Sequence, residues 1–149
     1  MRIIIDTREQ LPYEFQTTSV KGTLSTGDYS IFGLEDFIAI ERKTLDDLIG
    51  SLCTGRQRFE RELQRGKSLD YFAVIIESTL TDIVNGSYRS QMTPKSAIQS
   101  LLAFSVRYRL PLFFVDSRNY GARITECLLL KYAREMEKRT EAISESSNA

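Results

Sequence analysis

The segment Tyr71-Phe-Ala-Val-Ile-Ile-Glu77 is seven residues long and apolar at nearly every position. An apolar run of that length without alternation reads as a strand buried on both faces, which requires a sheet covered by helices on each side. The neighbouring segments agree. RIIID, ending on Asp6, reads as a buried strand with a carboxylate at its C-terminal mouth, followed by a turn through TREQLP. Thr26-Gly27-Asp28 carries turn chemistry before a short strand near Ile31, and DFIAIERK runs apolar through Ile40, so the two read as adjacent antiparallel strands. Leu112 to Val115 supplies another buried strand. Thr44 with acids behind it and Leu45, Leu48, Ile49 and Leu52 at helical spacing predicts a helix stopping near Gly55. RQRFERELQR predicts a second, with Phe59 and Leu63 inward and Gly66 as its cap. Thr93-Pro94 opens a third with Ile98, Leu101, Leu102 and Val106 facing the core. A fourth, from about Asn119 to Lys138, turns Ile124, Cys127, Leu128, Tyr132 and Met136 inward. The expectation is a single α/β domain over residues 1–140, with a mixed central sheet flanked by helices, and a polar tail over 141–149.

Composition narrows the chemistry. Histidine is absent, which removes Ser-His-Asp and Cys-His catalysis and every imidazole metal site. Two cysteines, Cys53 and Cys127, make a four-thiolate zinc site impossible and read as small apolar residues in a reducing interior. Acid/base or metal chemistry therefore rests on carboxylates, Lys or Tyr. No apolar stretch approaches a membrane span, so the expected setting is intracellular, cytoplasmic or, in a eukaryote, nuclear. Overall charge is zero, yet residues 1–41 carry three basic and seven acidic side chains while 42–67 carry seven basic and four acidic. An acidic cluster followed by a basic one is what a metal-bound phosphodiester site needs: carboxylates for the cation, Arg and Lys for the anionic backbone.

The carboxylates fall at strand ends and turns: Asp6 and Glu9 in Asp-Thr-Arg-Glu, Asp28 in Gly-Asp-Tyr, and Glu41 in Ile-Glu-Arg-Lys. On a strand, a period of two puts Glu41 and Lys43 on one face and Arg42 on the other. Asp28, Glu41 and Lys43 form the minimal set for phosphodiester hydrolysis, two carboxylates for a cation and one positive group near the attacking water. All-oxygen donors favour Mg²⁺ or Mn²⁺ over zinc.

Gly27-Asp28-Tyr29 followed by Glu41-Arg42-Lys43-Thr44-Leu45-Asp46-Asp47 resembles the G-D-Y and E-R-K-x-x-x-D signature of the XPF/Mus81 structure-specific DNA endonucleases, of the restriction-endonuclease-like PD-(D/E)xK superfamily. Ile5-Asp6-Thr7-Arg8-Glu9 is similar to that family's first acidic motif, and Leu48 to Leu52 with Gly55-Arg56 to the stretch after its catalytic motif. The resemblance implies that Asp28 and Glu41 hold the metal, with Asp6 or Glu9 and Asp47 assisting, that Lys43 orients or activates water, and that Arg8 and Arg42 contact phosphate or hold carboxylates. Arg56 and Arg58, close to that site in sequence, are added as DNA contacts. It also implies DNA, branched or partly single-stranded, as partner, a function in repair or recombination, and pairing of nuclease domains, for which Phe104, Tyr108, Leu129 and Leu130 offer apolar surface beyond one helical stripe. The tandem helix-hairpin-helix and helicase domains usual in the family have no counterpart in these residues, so a partner or a second copy is expected to supply that part of DNA recognition. The alternative is a non-catalytic DNA-binding or scaffold subunit paired with another nuclease. Taken singly the residues have blander readings: Asp47 completes a cap with Thr44, Asp28 serves its own turn, Glu41 and Lys43 form an ion pair, and the arginines line a solvated helix face.

Overall fold

The computed structural model describes residues 1–148. Six strands form one sheet: β1 (Ile3–Asp6), β2 (Ser19–Gly22), β3 (Tyr29–Ile31), β4 (Ile38–Thr44), β5 (Tyr71–Glu77) and β6 (Leu112–Val115), in the order β2-β1-β3-β4-β5-β6. β1, β3 and β4 run antiparallel to their neighbours among themselves, whereas β2 joins β1 and β5 and β6 extend from β4 in parallel. The mixed, helix-flanked α/β architecture expected from the sequence is the one observed.

Five helices cover the sheet: α1 (Leu45–Leu52), α2 (Arg56–Lys67), α3 (Leu80–Val84), α4 (Pro94–Tyr108) and α5 (Arg118–Ser147). Alternation along β4 and β5 divides the apolar residues between two layers. Ala39, Val74 and Ile76 pack with α1, α2, α3 and α4, while Ile38, Ile40, Ala73 and Ile75 pack with α5 and with Tyr13 and Tyr29. β5 is buried from both sides, as its composition requires.

The structure departs from the expectation in five places. β2, Ser-Val-Lys-Gly at an edge, and α3, a five-residue helix capped by Thr79, are not among the elements expected from the sequence. Gly66 lies inside α2, not at its cap: a Cβ there would stand 2.2 Å from the Phe72 ring, so the missing side chain lets helix and sheet close up. On α4 the inward stripe is Ala97, Leu101, Phe104 and Tyr108, leaving Leu102 and Val106 exposed. α5 continues through Ser147, absorbing the supposed tail except for the last two residues, of which Ala149 lies outside the described residues, and it leaves Cys127 exposed.

Candidate active site

The strands order the carboxylates. Asp6 ends β1, Asp28 immediately precedes β3, and Glu41 lies within β4 opposite Val74 of β5. Gly27 takes φ 81° in the turn before Asp28, where a Cβ would meet Ala39 at 2.8 Å, so this turn presses against β4 in a conformation that favours glycine. Asp28 N–H then donates to Ile40 O at 2.8 Å, and Arg42 N–H donates to the Asp28 Oδ2 at 2.7 Å. The carboxylate continues the ladder between the strands.

A cleft of about 530 Å³ opens here, bounded by the Ser25–Asp28 turn, the end of β4, α1 and α2. It brings together Asp6, Arg8, Asp28, Glu41, Lys43, Asp47 and Arg58 of the residues singled out in the sequence. Lys43 Nζ stands 3.9 Å from Glu41 Oε1, so the two share a face as their spacing requires. Glu41 is only 8% exposed, and among the described residues no hydrogen-bond donor reaches its carboxylate. Burial, with Asp28 and Glu62 nearby, pushes its carboxyl well above the usual range, against the pull of Lys43. Burial likewise raises Asp28 to about 6, opposed by the Arg42 N–H. Asp47 is exposed at the rim; its N–H bonds to the Thr44 hydroxyl at 3.3 Å, so the capping role and the cleft position coexist.

Asp6 behaves differently. Burial disfavours its charge, but Arg8 and two backbone N–H groups outweigh that and hold the carboxyl below its ordinary value. Arg8 Nε donates to Oδ2 at 2.9 Å and Leu24 N–H to Oδ1 at 2.8 Å, so both oxygens are occupied. Asp6 anchors Arg8 at the cleft rim while lining the same cleft as Asp28 and Glu41.

Three expected site residues are elsewhere. Arg42 projects to the opposite face of β4, where it is gripped by Glu9 through two hydrogen bonds of 3.1 Å and by Glu77 at 3.0 Å. Tyr13 donates to Glu77 at 2.5 Å and Tyr29 to Glu9 at 3.3 Å. Arg42 and Glu9 are thus partners in a buried network: of the two roles expected of Arg42 the geometry shows the holding of carboxylates, and neither residue lines the cleft. Arg56 is bound to Leu52 O and to Ser100 Oγ at 2.9 Å with its guanidinium over Phe104, tying α2 to α4 instead of facing the cleft.

The sequence reading missed Glu62 as a site residue; it lines the cleft from α2 with Arg58 and Arg65, two of the arginines weighed for backbone contact. Their spacing of i, i+4, i+7 is one helical stripe next to the inward Phe59 and Leu63, the signal that finds them. A larger groove of about 710 Å³ lies between the Pro12–Thr17 segment and α5. There Arg118 is spent on the carbonyls of Leu11 and Pro12 and Glu126 on the N–H groups of Gln16 and Thr17, which makes it a seam between elements.

Fold and site together define a mixed-sheet α/β domain with an acidic cleft at its strand ends. The family model of the ERCC4 domain matches residues 5–128. The chain therefore belongs to the ERCC4 domain family, the XPF/Mus81-type group that its motifs resemble. XPF from Aeropyrum pernix has the same fold, with a TM-score of 0.70 at 23% identity, the match covering 95% of this chain and 69% of that one. A structure of XPF from Aeropyrum pernix in complex with DNA matches with a TM-score of 0.72 at 23% identity, covering 90% of this chain and 66% of the other. No curated protein sequence matches. Among the described residues no helix is long and apolar enough to cross a membrane.

Proposed function

We propose that this chain is a Mg²⁺- or Mn²⁺-dependent DNA endonuclease acting on branched, flap or fork DNA in repair or recombination. The observation that carries the reading is Glu41: a buried carboxylate facing Asp28 across a cleft, with no hydrogen-bond donor and one ammonium 3.9 Å away. A carboxylate buried this way takes up a proton, in the direction its raised pKa shows, unless a cation completes it. Among the described residues no group of three acidic or thiol side chains is placed to hold a metal, so the ion proposed here has two carboxylate ligands and completes its shell with water and substrate phosphate. When bound, such an ion polarises the phosphoryl oxygen and lowers the pKa of water.

In this reading Asp28 and Glu41 hold the ion, and Lys43 orients the attacking water and meets the charge that develops on phosphate. Arg8, Arg58 and Arg65 at the mouth neutralise the nucleic-acid backbone. The DNA bound in the Aeropyrum pernix complex supports the same substrate class here. A homodimer belongs to the proposal; of the residues named for it Phe104, Tyr108 and Leu129 are core and Leu130 is exposed, and further exposed apolar residues are Leu102 and Val106 on α4 and Phe114 on edge strand β6. A second copy, or a helicase or helix-hairpin-helix partner, supplies the selection of branched DNA.

The test is cleavage of end-labelled single strands, duplex, flap, fork and four-way junction with Mg²⁺, Mn²⁺ or EDTA, comparing wild type with Glu41→Ala and Lys43→Ala. Cutting is expected only with metal and is lost in both variants. Salt-sensitive binding with no cutting on any substrate overturns the reading in favour of a non-catalytic subunit.

A further inference from the structure

We propose that Glu62, on α2, is an outer carboxylate of the cation site, holding water bound to the ion that Asp28 and Glu41 ligate. The inference rests on the nuclease reading above and assigns a residue outside the signature motifs. Its basis is the way α2 is seated. Phe59, Leu63 and Gly66 bury one stripe of the helix, and the absent Gly66 side chain brings it close to Phe72 of β5. The Thr26 hydroxyl donates to the Glu62 carbonyl at 3.4 Å, tying this turn of helix to the turn that carries Asp28. The adjoining stripe therefore faces the cleft, and Glu62 lines it together with Asp28 and Glu41; its nearness adds to the rise of the Glu41 carboxyl.

Neighbouring carboxylates in one cleft repel unless a proton or a cation lies between them. An ordinary surface role for Glu62 does not fit its surroundings. Glu60, two residues earlier, is engaged by Arg56, Arg107 and Tyr108, whereas among the described residues no Lys or Arg pairs with Glu62. Asp6, by contrast, already carries the Arg8 guanidinium and the Leu24 N–H on its two oxygens. Glu41 is buried and aimed into the cleft, and among the described residues the one cation within 4 Å of Asp28, Glu41 or Glu62 is Lys43, with Arg8, Arg58 and Arg65 lining the same cleft farther off. A divalent ion balances that set, with Glu62 accepting hydrogen bonds from the water such an ion retains.

The experiment measures Mn²⁺ binding to the DNA-free protein by electron paramagnetic resonance, for wild type, Glu41→Gln, Glu62→Gln and Glu62→Asp, with a thermal melt in EDTA for each. Glu62→Gln is expected to weaken Mn²⁺ binding by about tenfold or more, to melt no lower than wild type in EDTA, and to recover cleavage as Mn²⁺ is raised. Glu62→Asp keeps the charge and is expected to bind between the two. Wild-type affinity in Glu62→Gln, while Glu41→Gln has lost binding, overturns the Glu62 assignment and leaves the nuclease reading standing. A wild type that neither binds Mn²⁺ nor cuts DNA removes the nuclease reading and this assignment with it.

Discussion

On one face of β4, Arg42 sits between Glu9 and Glu77, and each of those carboxylates takes a further hydrogen bond from a tyrosine. On the other face, Glu41 points into a cleft toward Asp28 and Glu62 with only Lys43 near it. Adjacent residues of one strand thus meet opposite conditions. Charge buried with every partner present holds the fold, and charge buried without them marks the place reserved for something else. Exposure does not separate the two: the Arg42 and Glu41 side chains are 11% and 10% exposed. What separates them is the partner count.

The strongest way to break this contrast is to remove one charge from each face. Arg42→Ala leaves Glu9 and Glu77 confronting each other and is expected to cost roughly 3–5 kcal/mol of stability in urea unfolding. Glu41→Gln is expected to act with the opposite sign, stabilising the chelated protein by about 1–3 kcal/mol while abolishing cleavage. Changes of the same sign in the two variants end the distinction between the faces.

A finer effect is a pH slope. The Asp28 carboxyl, raised by burial to about 6 from an ordinary 3.8, binds more protons folded than unfolded between those values. Its contribution is therefore full below about 3.8 and is lost as pH rises through about 6. Chelated wild type is expected to lose stability relative to Asp28→Asn as pH goes from 4 to 7, by urea unfolding at each pH. Asp6 is held low, so its opposite contribution fades only below its ordinary 3.8, outside that window.

The sequence made much of this legible where the pattern carried strong physical constraint. The continuous apolar run of β5 demanded double cover, and the spacing of Glu41 and Lys43 fixed their common face, as the same alternation fixed Arg42 on the other. That its partners there are Glu9 and Glu77 was invisible, because those residues come from β1's following turn and the end of β5, 33 and 35 positions away. β2 gave no signal since an exposed edge strand needs no apolar alternation, its burial pattern being half exposed and half partial. On α4 apolar residues occur around more than one stripe, so periodicity alone did not decide between Leu102 with Val106 and Phe104 with Tyr108. Glu62 was hidden for a related reason: in RQRFERELQR charges of both signs surround the apolar stripe, and only the position of α2 against the Thr26–Asp28 turn selects which of them look inward.

The hydrogen bond from the Arg42 N–H to Asp28 has a spectroscopic consequence. That amide proton touches the carboxylate at the centre of the cleft, while the Arg42 side chain is clamped on the far side of the sheet. Its proton chemical shift responds to the charge on Asp28 with little contribution from motion of its own residue. One backbone resonance thus serves as a built-in reporter, reading protonation and cation occupancy of the cleft without altering a single atom inside it.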